Sequence, residues 1–205
     1  MSILEYNGAA IIAMCGKGCV GIAADTRLGV QHTTVATDFK KVFQLNDRLF
    51  LGLAGLATDV QTVHELVTFR MNMYKLKEER EMKASTFSHL MESMLYGRRF
   101  APWFVEPVIA GLEGDDNTPF VYASDLLGAG MRTDDFVVSG TCTENMAGMC
   151  ESLYKKNMGP DELFEVLAQC LLASVDRDAM SGWGGVVHII TPTEIITRTL
   201  KGRQD

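Results

Sequence analysis

With 205 residues, 47% of them hydrophobic and 22% charged, the chain is long enough to bury roughly 70% of its unfolded surface in one domain without staples. The formal net charge of -7 excludes the basic surface that phosphate recognition needs, so neither nucleic acid nor an anionic membrane is an expected partner. No apolar run approaches the ~20 residues of a membrane span. Residues 1–6 lack the basic and apolar regions of a secretory signal, and a soluble intracellular protein is expected.

Two strand-like runs come first, at 9–14 and 19–24, with Gly16-Lys17-Gly18 as a hairpin turn between them. Two more follow at 41–45 and 49–54, joined by Asn46-Asp47-Arg48. From Thr58 to about Lys77, Val60, Val63, Val67, Met71 and Tyr74 recur at spacings of three and four, which predicts one face of a long helix. A second helix is expected with Ser85 as its N-cap and Phe87, Leu90, Met91, Met94 and Leu95 on its apolar face.

Strands return at 106–112 and 119–124, and the acidic run 113–117 reads as their turn because calcium-loop spacing is absent. A short strand at 136–139 leads to a helix capped by Thr143. The next helix opens at Gly159-Pro160-Asp161-Glu162, with proline at its first position, and runs to about Asp178. Strands at 185–190 and 194–200 close the chain. Short links imply antiparallel pairing. The poor alternation of Val186-Val187-His188-Ile189-Ile190 implies burial on both faces. The order predicts an α+β fold with two antiparallel sheets packed together and helix pairs outside; one sheet with helices on a single side is the alternative.

The cysteines are five, Cys15, Cys19, Cys142, Cys150 and Cys170, an odd count without a C-x-x-C pair. Cys150 and Cys170 fall on apolar helical faces and are expected as buried free thiols, which implies a reducing compartment. Cys15 and Cys19 have no nearby histidine and flank a turn rather than a zinc ion. Gly16, Gly18 and Gly21 spell G-x-G-x-x-G but join two strands, so no helix terminus awaits a pyrophosphate. His188, in an apolar strand, reads as a satisfied core histidine rather than a base.

One constellation remains. Ala23-Ala24-Asp25-Thr26-Arg27 ends a strand, Asp38-Phe39-Lys40-Lys41-Val42 begins another, Gly52-Leu53-Ala54-Gly55-Leu56-Ala57 precedes the long helix, and Asp176-Arg177-Asp178-Ala179-Met180-Ser181-Gly182 follows the last helix. Over nearly the whole chain these segments resemble the beta subunits of the 20S proteasome, threonine proteases of the N-terminal nucleophile hydrolase superfamily. Residues 52–62 and 133–142 look closest to a beta type with a short N-terminal extension and no catalytic threonine.

The resemblance implies a four-layer α-β-β-α sandwich of two antiparallel sheets, here one domain over 1–205 with residues 1–8 as a retained extension. It also implies a mechanism in which an N-terminal threonine hydroxyl attacks a peptide carbonyl while a lysine charge lowers its proton affinity. Carried over, Asp25 matches the lysine-fixing aspartate and Lys41 the catalytic lysine. Asp178 and Ser181 match the supporting pair, and Ser139 the other supporting serine. The nucleophile position, after Gly8, is Ala9, which has no hydroxyl.

The resemblance therefore implies a non-catalytic structural subunit of the core particle, serving ATP- and ubiquitin-dependent protein degradation in cytoplasm and nucleus. It would sit in a seven-membered beta ring, against the alpha ring and the opposite beta ring. Asp125, at the end of 121–125, would face a neighbour's substrate pocket. No cofactor is required, though the carbonyls of Val175, Asp178 and Ser181, with Asp205, would suit a structural magnesium ion. Rival readings are a free-standing N-terminal nucleophile amidohydrolase, for which Ser2 offers a hydroxyl after methionine removal, and a binding module outside any particle.

Overall fold

A computed structural model describes residues 2–204 of the chain. It begins with one 3-10 turn, Ile3–Glu5, where Ser2 Oγ accepts from Leu4 N–H at 3.3 Å and the Glu5 carboxylate accepts from Ser2 N–H at 3.0 Å. Strands β1 (Ala10–Cys15) and β2 (Val20–Asp25) form the first hairpin, and β3 (Leu28–Val30) and β4 (Thr33–Ala36) form a small separate one. Then come β5 (Val42–Asn46), β6 (Leu49–Gly55), α1 (Ala57–Glu78), α2 (Ala84–Tyr96), β7 (Val105–Glu113) and β8 (Thr118–Ser124). The chain finishes with β9 (Gly130–Thr133), β10 (Phe136–Gly140), α3 (Thr143–Leu153), α4 (Pro160–Val175), β11 (Gly185–Ile190) and β12 (Ile195–Leu200).

One antiparallel sheet has the order β10-β1-β2-β11-β12 and the other β5-β6-β7-β8-β9. The sheets face each other, α3 and α4 cover the first, and α1 and α2 cover the second. This is the expected four-layer sandwich, and the single-sheet alternative is excluded.

The three interfaces follow from strand periodicity. In β1, Ile11, Ala13 and Cys15 face the second sheet, while Ala10, Ile12 and Met14 face α3 and α4. Every residue of β1 is buried, because both faces of its sheet are covered. In β6, Phe50 and Ala54 face the inter-sheet core, while Leu49, Leu51 and Leu53 meet Val60, Val63 and Val67 of α1. Each large apolar side chain so buried contributes about 1.5–3 kcal/mol. Gly52 lets the sheets approach, since a Cβ there would lie 2.8 Å from Ile11 Cγ2.

Helix starts depart from expectation. Lys83, not Ser85, occupies the N-cap of α2, and Ser85 N–H donates to the Glu113 carboxylate at 2.6 Å. A side chain from the end of β7 thus satisfies the helix terminus that a local cap was expected to serve. Thr143 is the first residue of α3 rather than its cap, and its hydroxyl donates to the Gly140 carbonyl at 2.6 Å. Helix α4 ends at Val175, three residues early, because the following turn belongs to the site described next. All five cysteines are buried free thiols.

Candidate functional site

Asp25 closes β2 in one sheet and Lys41 immediately precedes β5 in the other, so packing of the two sheets brings them together. Lys41 Nζ lies 2.6 Å from Asp25 Oδ1, and both side chains are almost fully buried. Lys41 Nζ also donates to the Gly8 carbonyl at 3.1 Å. Asp25 Oδ1 accepts from Ala10 N–H at 2.9 Å and Oδ2 from Gly182 N–H at 3.0 Å. The aspartate therefore ties β1, Lys41 and the loop after α4 to one point. Burial pulls the Lys41 ammonium below its ordinary pKa, and the charge of Asp25 opposes that fall.

On the other side of Ala9 stands a second carboxylate. Asp178 Oδ2 accepts hydrogen bonds of 2.6 Å from both Ser181 Oγ and Thr141 Oγ1, and Oδ1 accepts from Met180 N–H at 3.1 Å. Thr141 Oγ1 accepts in turn from Ala9 N–H at 3.4 Å, and Thr141 N–H donates to the Ala9 carbonyl at 2.8 Å. Ser139, in β10 opposite Ile11, turns its hydroxyl to Glu106 Oε2 at 3.1 Å and stands outside this network. Thr141, two residues on, holds the contact with Ala9 that Ser139 was expected to share. Its place in the Ser139-Gly140-Thr141 segment was the available signal.

Ala9 is 2% exposed, between the two carboxylate centres. It lacks a hydroxyl, and its nitrogen is an amide in the Gly8–Ala9 bond, so neither nucleophile nor amine base exists. No neighbour replaces it. The buried Cys142 thiol beside Ser181 is pushed up to about 12 by burial, which keeps it protonated. His188 donates to or accepts from Thr197 Oγ1 at 2.8 Å and packs on Phe50, and burial lowers its pKa to about 4.

Residues 2–8 are held in place by Asn7, which the sequence did not single out, and by Gly8. Asn7 Oδ1 accepts from Ala57 N–H at 2.8 Å, satisfying an orphan donor at the start of α1, while Nδ2 donates to the Gly29 carbonyl at 2.8 Å. Gly8 has φ +72°, and a Cβ on it would sit 1.8 Å from the Met180 oxygen. That same oxygen accepts from Arg27 Nη1 at 2.7 Å. The extension leaves a cavity of about 190 Å³ beside the site, lined by Ser2, Glu5, Glu106, Gly140 and Thr141 among others. The Ser2 hydroxyl is engaged in the 3-10 cap, not with Lys41.

Asp125 lies in the β8–β9 connection, where Oδ1 accepts from Leu127 N–H at 2.9 Å and Ala129 N–H at 2.8 Å. With Glu92 and Tyr96 it lines an open cavity of about 430 Å³. Val175, Asp178 and Ser181 line another cavity, of about 410 Å³, and Asp205 lies outside the described residues. Among the described residues no three metal-ligating side chains cluster. The Asp178 carboxylate is fully engaged, so a cation there would take neutral backbone oxygens, which suit a hard divalent ion. Arg27, Arg177 and Arg203 line the same cavity, so such an ion would also need an added carboxylate.

A family model described as proteasome subunit matches residues 5–190. The chain is 57% identical to proteasome subunit beta type-3 of Dictyostelium discoideum, 56% to that of Oryza sativa subsp. japonica and 53% to that of Drosophila melanogaster. Each match covers 205 residues, the full length of both proteins. With its sheets, its buried Lys41–Asp25 pair and its Asp178–Ser181 pair in place, the chain belongs to the proteasome subunit family.

Proposed function

We propose that this chain is a non-catalytic beta subunit of a proteasome core particle, a positioned wall rather than a working site. The observation that carries the reading is Ala9, buried and amide-bonded where the family's nucleophile would stand. Lys41, Asp25, Asp178 and Ser181 then serve as ties between β1, β2 and the loop after α4.

In this proposal the subunit occupies a seven-membered beta ring, contacts an alpha ring and the opposite beta ring, and works in cytoplasm and nucleus. Asp125 presents its charge to a neighbour's substrate pocket. The carbonyls of Val175, Asp178 and Ser181, with Asp205, would hold a structural magnesium ion, a role read by metal content of the purified particle.

The test is the native size of the C-terminally tagged chain from its own cells, with an intact mass. A very large particle of many similar-sized partners, with the extension retained, is expected. A small oligomer trimmed to a hydroxyl or thiol terminus would overturn the reading in favour of an independent hydrolase.

A further inference from the structure

Tyr122 of β8 is 3% exposed, and its hydroxyl donates to Glu92 Oε1 of α2 at 2.8 Å. Gly130 on the paired strand β9 leaves room for the phenol, since a Cβ there would lie 1.8 Å from its oxygen. Burial pushes the Tyr122 phenol up, so it stays protonated and remains a donor. Glu92 Oε2 lies 3.1 Å from His89 Nδ1, one turn earlier on the helix. Chiefly through the Tyr122 bond, the Glu92 carboxyl is held below its ordinary pKa and stays ionised. A glutamate paired only along its own helix keeps its rotamer freedom. This one is also fixed from the sheet beneath.

The β8–β9 loop is clamped on the same stretch of helix. Gly128 has φ +86°, and a Cβ on it would lie 2.8 Å from the Glu92 backbone oxygen. Asp125 Oδ1 is taken by the Leu127 and Ala129 amides, and Oδ2 has no hydrogen bond among the described residues. Glu92 and Asp125 thus line one open cavity of about 430 Å³ and are its only charged lining residues, beside Tyr96 and Leu127. Apolar walls with carboxylates suit a long alkyl stem that ends in a cation.

We infer that Glu92 is a further specificity-determining residue, which with Asp125 presents two negative charges to the neighbour's substrate pocket and selects a long basic side chain there. The inference rests on the reading of Asp125 given above and deepens it. Tyr122 acts through Glu92 as a positioning residue. Arginine is the favoured side chain, because its planar fork of N–H groups serves two acceptors at once.

The test uses the large particle purified through the tagged chain, with fluorogenic peptides that place arginine or leucine before the scissile bond. Glu92→Gln keeps an acceptor for Tyr122 and removes the charge. KM for the arginine peptide should rise about threefold to fivefold, the size of a partly exposed charge pair, with kcat nearly constant. Tyr122→Phe keeps the charge but releases the carboxylate, so a smaller rise is expected. Added to Glu92→Gln it should change nothing further, because the group it orients is already gone. Leucine peptides should be cleaved at the parent's rate throughout.

An unchanged arginine KM in Glu92→Gln particles, beside a raised one in Asp125→Asn particles, would overturn the role of Glu92 and leave the reading of Asp125 standing. A loss shared equally by arginine and leucine peptides would also overturn it, as the mark of a disturbed helix rather than a missing charge. An unchanged arginine KM in both variants would overturn the reading of Asp125 itself, so the two failures are separable.

Discussion

Lys41 Nζ donates a 3.1 Å hydrogen bond to the carbonyl oxygen of Gly8, the residue just before the vacant nucleophile position. The ammonium therefore polarises the one peptide bond whose cleavage would free an amine at residue 9. Ala9→Thr would set a hydroxyl beside that carbonyl. The hydroxyl oxygen would attack the Gly8 carbon, the residue 9 nitrogen would leave as an amine, and water would hydrolyse the ester. Slow loss of residues 1–8 from the Ala9→Thr chain is expected by intact mass, and its absence from Ala9→Thr with Lys41→Met. Equal trimming in both would show that Lys41 has no electrostatic part in it.

Lys41 and Asp25 are buried together, so removing one leaves the other uncompensated. Lys41→Met or Asp25→Leu alone should destabilise the chain by about 3–5 kcal/mol. The double variant should lose less than either single one, because no buried charge is left. Denaturant titration of the four chains reads this directly. Additive losses would mean that the two groups are not coupled.

The sequence carried the sandwich because its apolar periods are local: β1 and β11 are apolar on both faces and α1 on a spacing of three and four. Asp25, Lys41, Asp178 and Ser181 were legible because each sits in a distinctive short segment, and the fold brings two pairs of them together. What escaped were partnerships made across the chain. Asn7 satisfies α1 from 50 residues away, and Glu113 serves α2 from the far end of β7. The β3–β4 hairpin, with Thr33, Thr34 and half-exposed valines, has no apolar alternation to announce it. Thr141 lies within the 133–142 segment, but its bond to the Asp178 carboxylate spans 37 residues and so left no local mark on it.

The extension contributes to stability through Asn7 and Gly8. Asn7→Ala removes the acceptor for Ala57 N–H and should cost about 0.5–2 kcal/mol, the range for a lost helix cap. Gly8→Ala should be worse, since its Cβ meets the Met180 oxygen and its positive φ disfavours a side chain. Thermal melting should rank wild type above Asn7→Ala above Gly8→Ala. The reverse order would mean that Gly8 is not clamped in solution.

Asp125→Asn keeps the Oδ1 acceptor for Leu127 and Ala129 but removes the charge. If that charge faces a neighbour's pocket, cleavage after basic residues by the assembled particle should fall several-fold, as expected for about 1 kcal/mol of lost attraction. Cleavage after apolar residues should not change. Equal rates for both substrate classes would reduce Asp125 to a turn residue.

His188 gives the chain an acid-sensitive element. Its imidazole is held neutral by burial, with a pKa of about 4 against an ordinary 6.5. The unfolded chain therefore binds a proton more readily than the folded one between these values, and stability falls as pH drops through that window. The neighbouring charges are Lys40, which favours the neutral ring, and Arg198, opposite Val187 on the paired strand. Partial solvent access screens the effect, which should reach up to about 2 kcal/mol. His188→Gln keeps a polar group near Thr197 and removes the titration. Denaturation midpoints from pH 7 to pH 4 should decline more steeply for the parent than for this variant. Parallel declines would mean that His188 does not set the acid sensitivity.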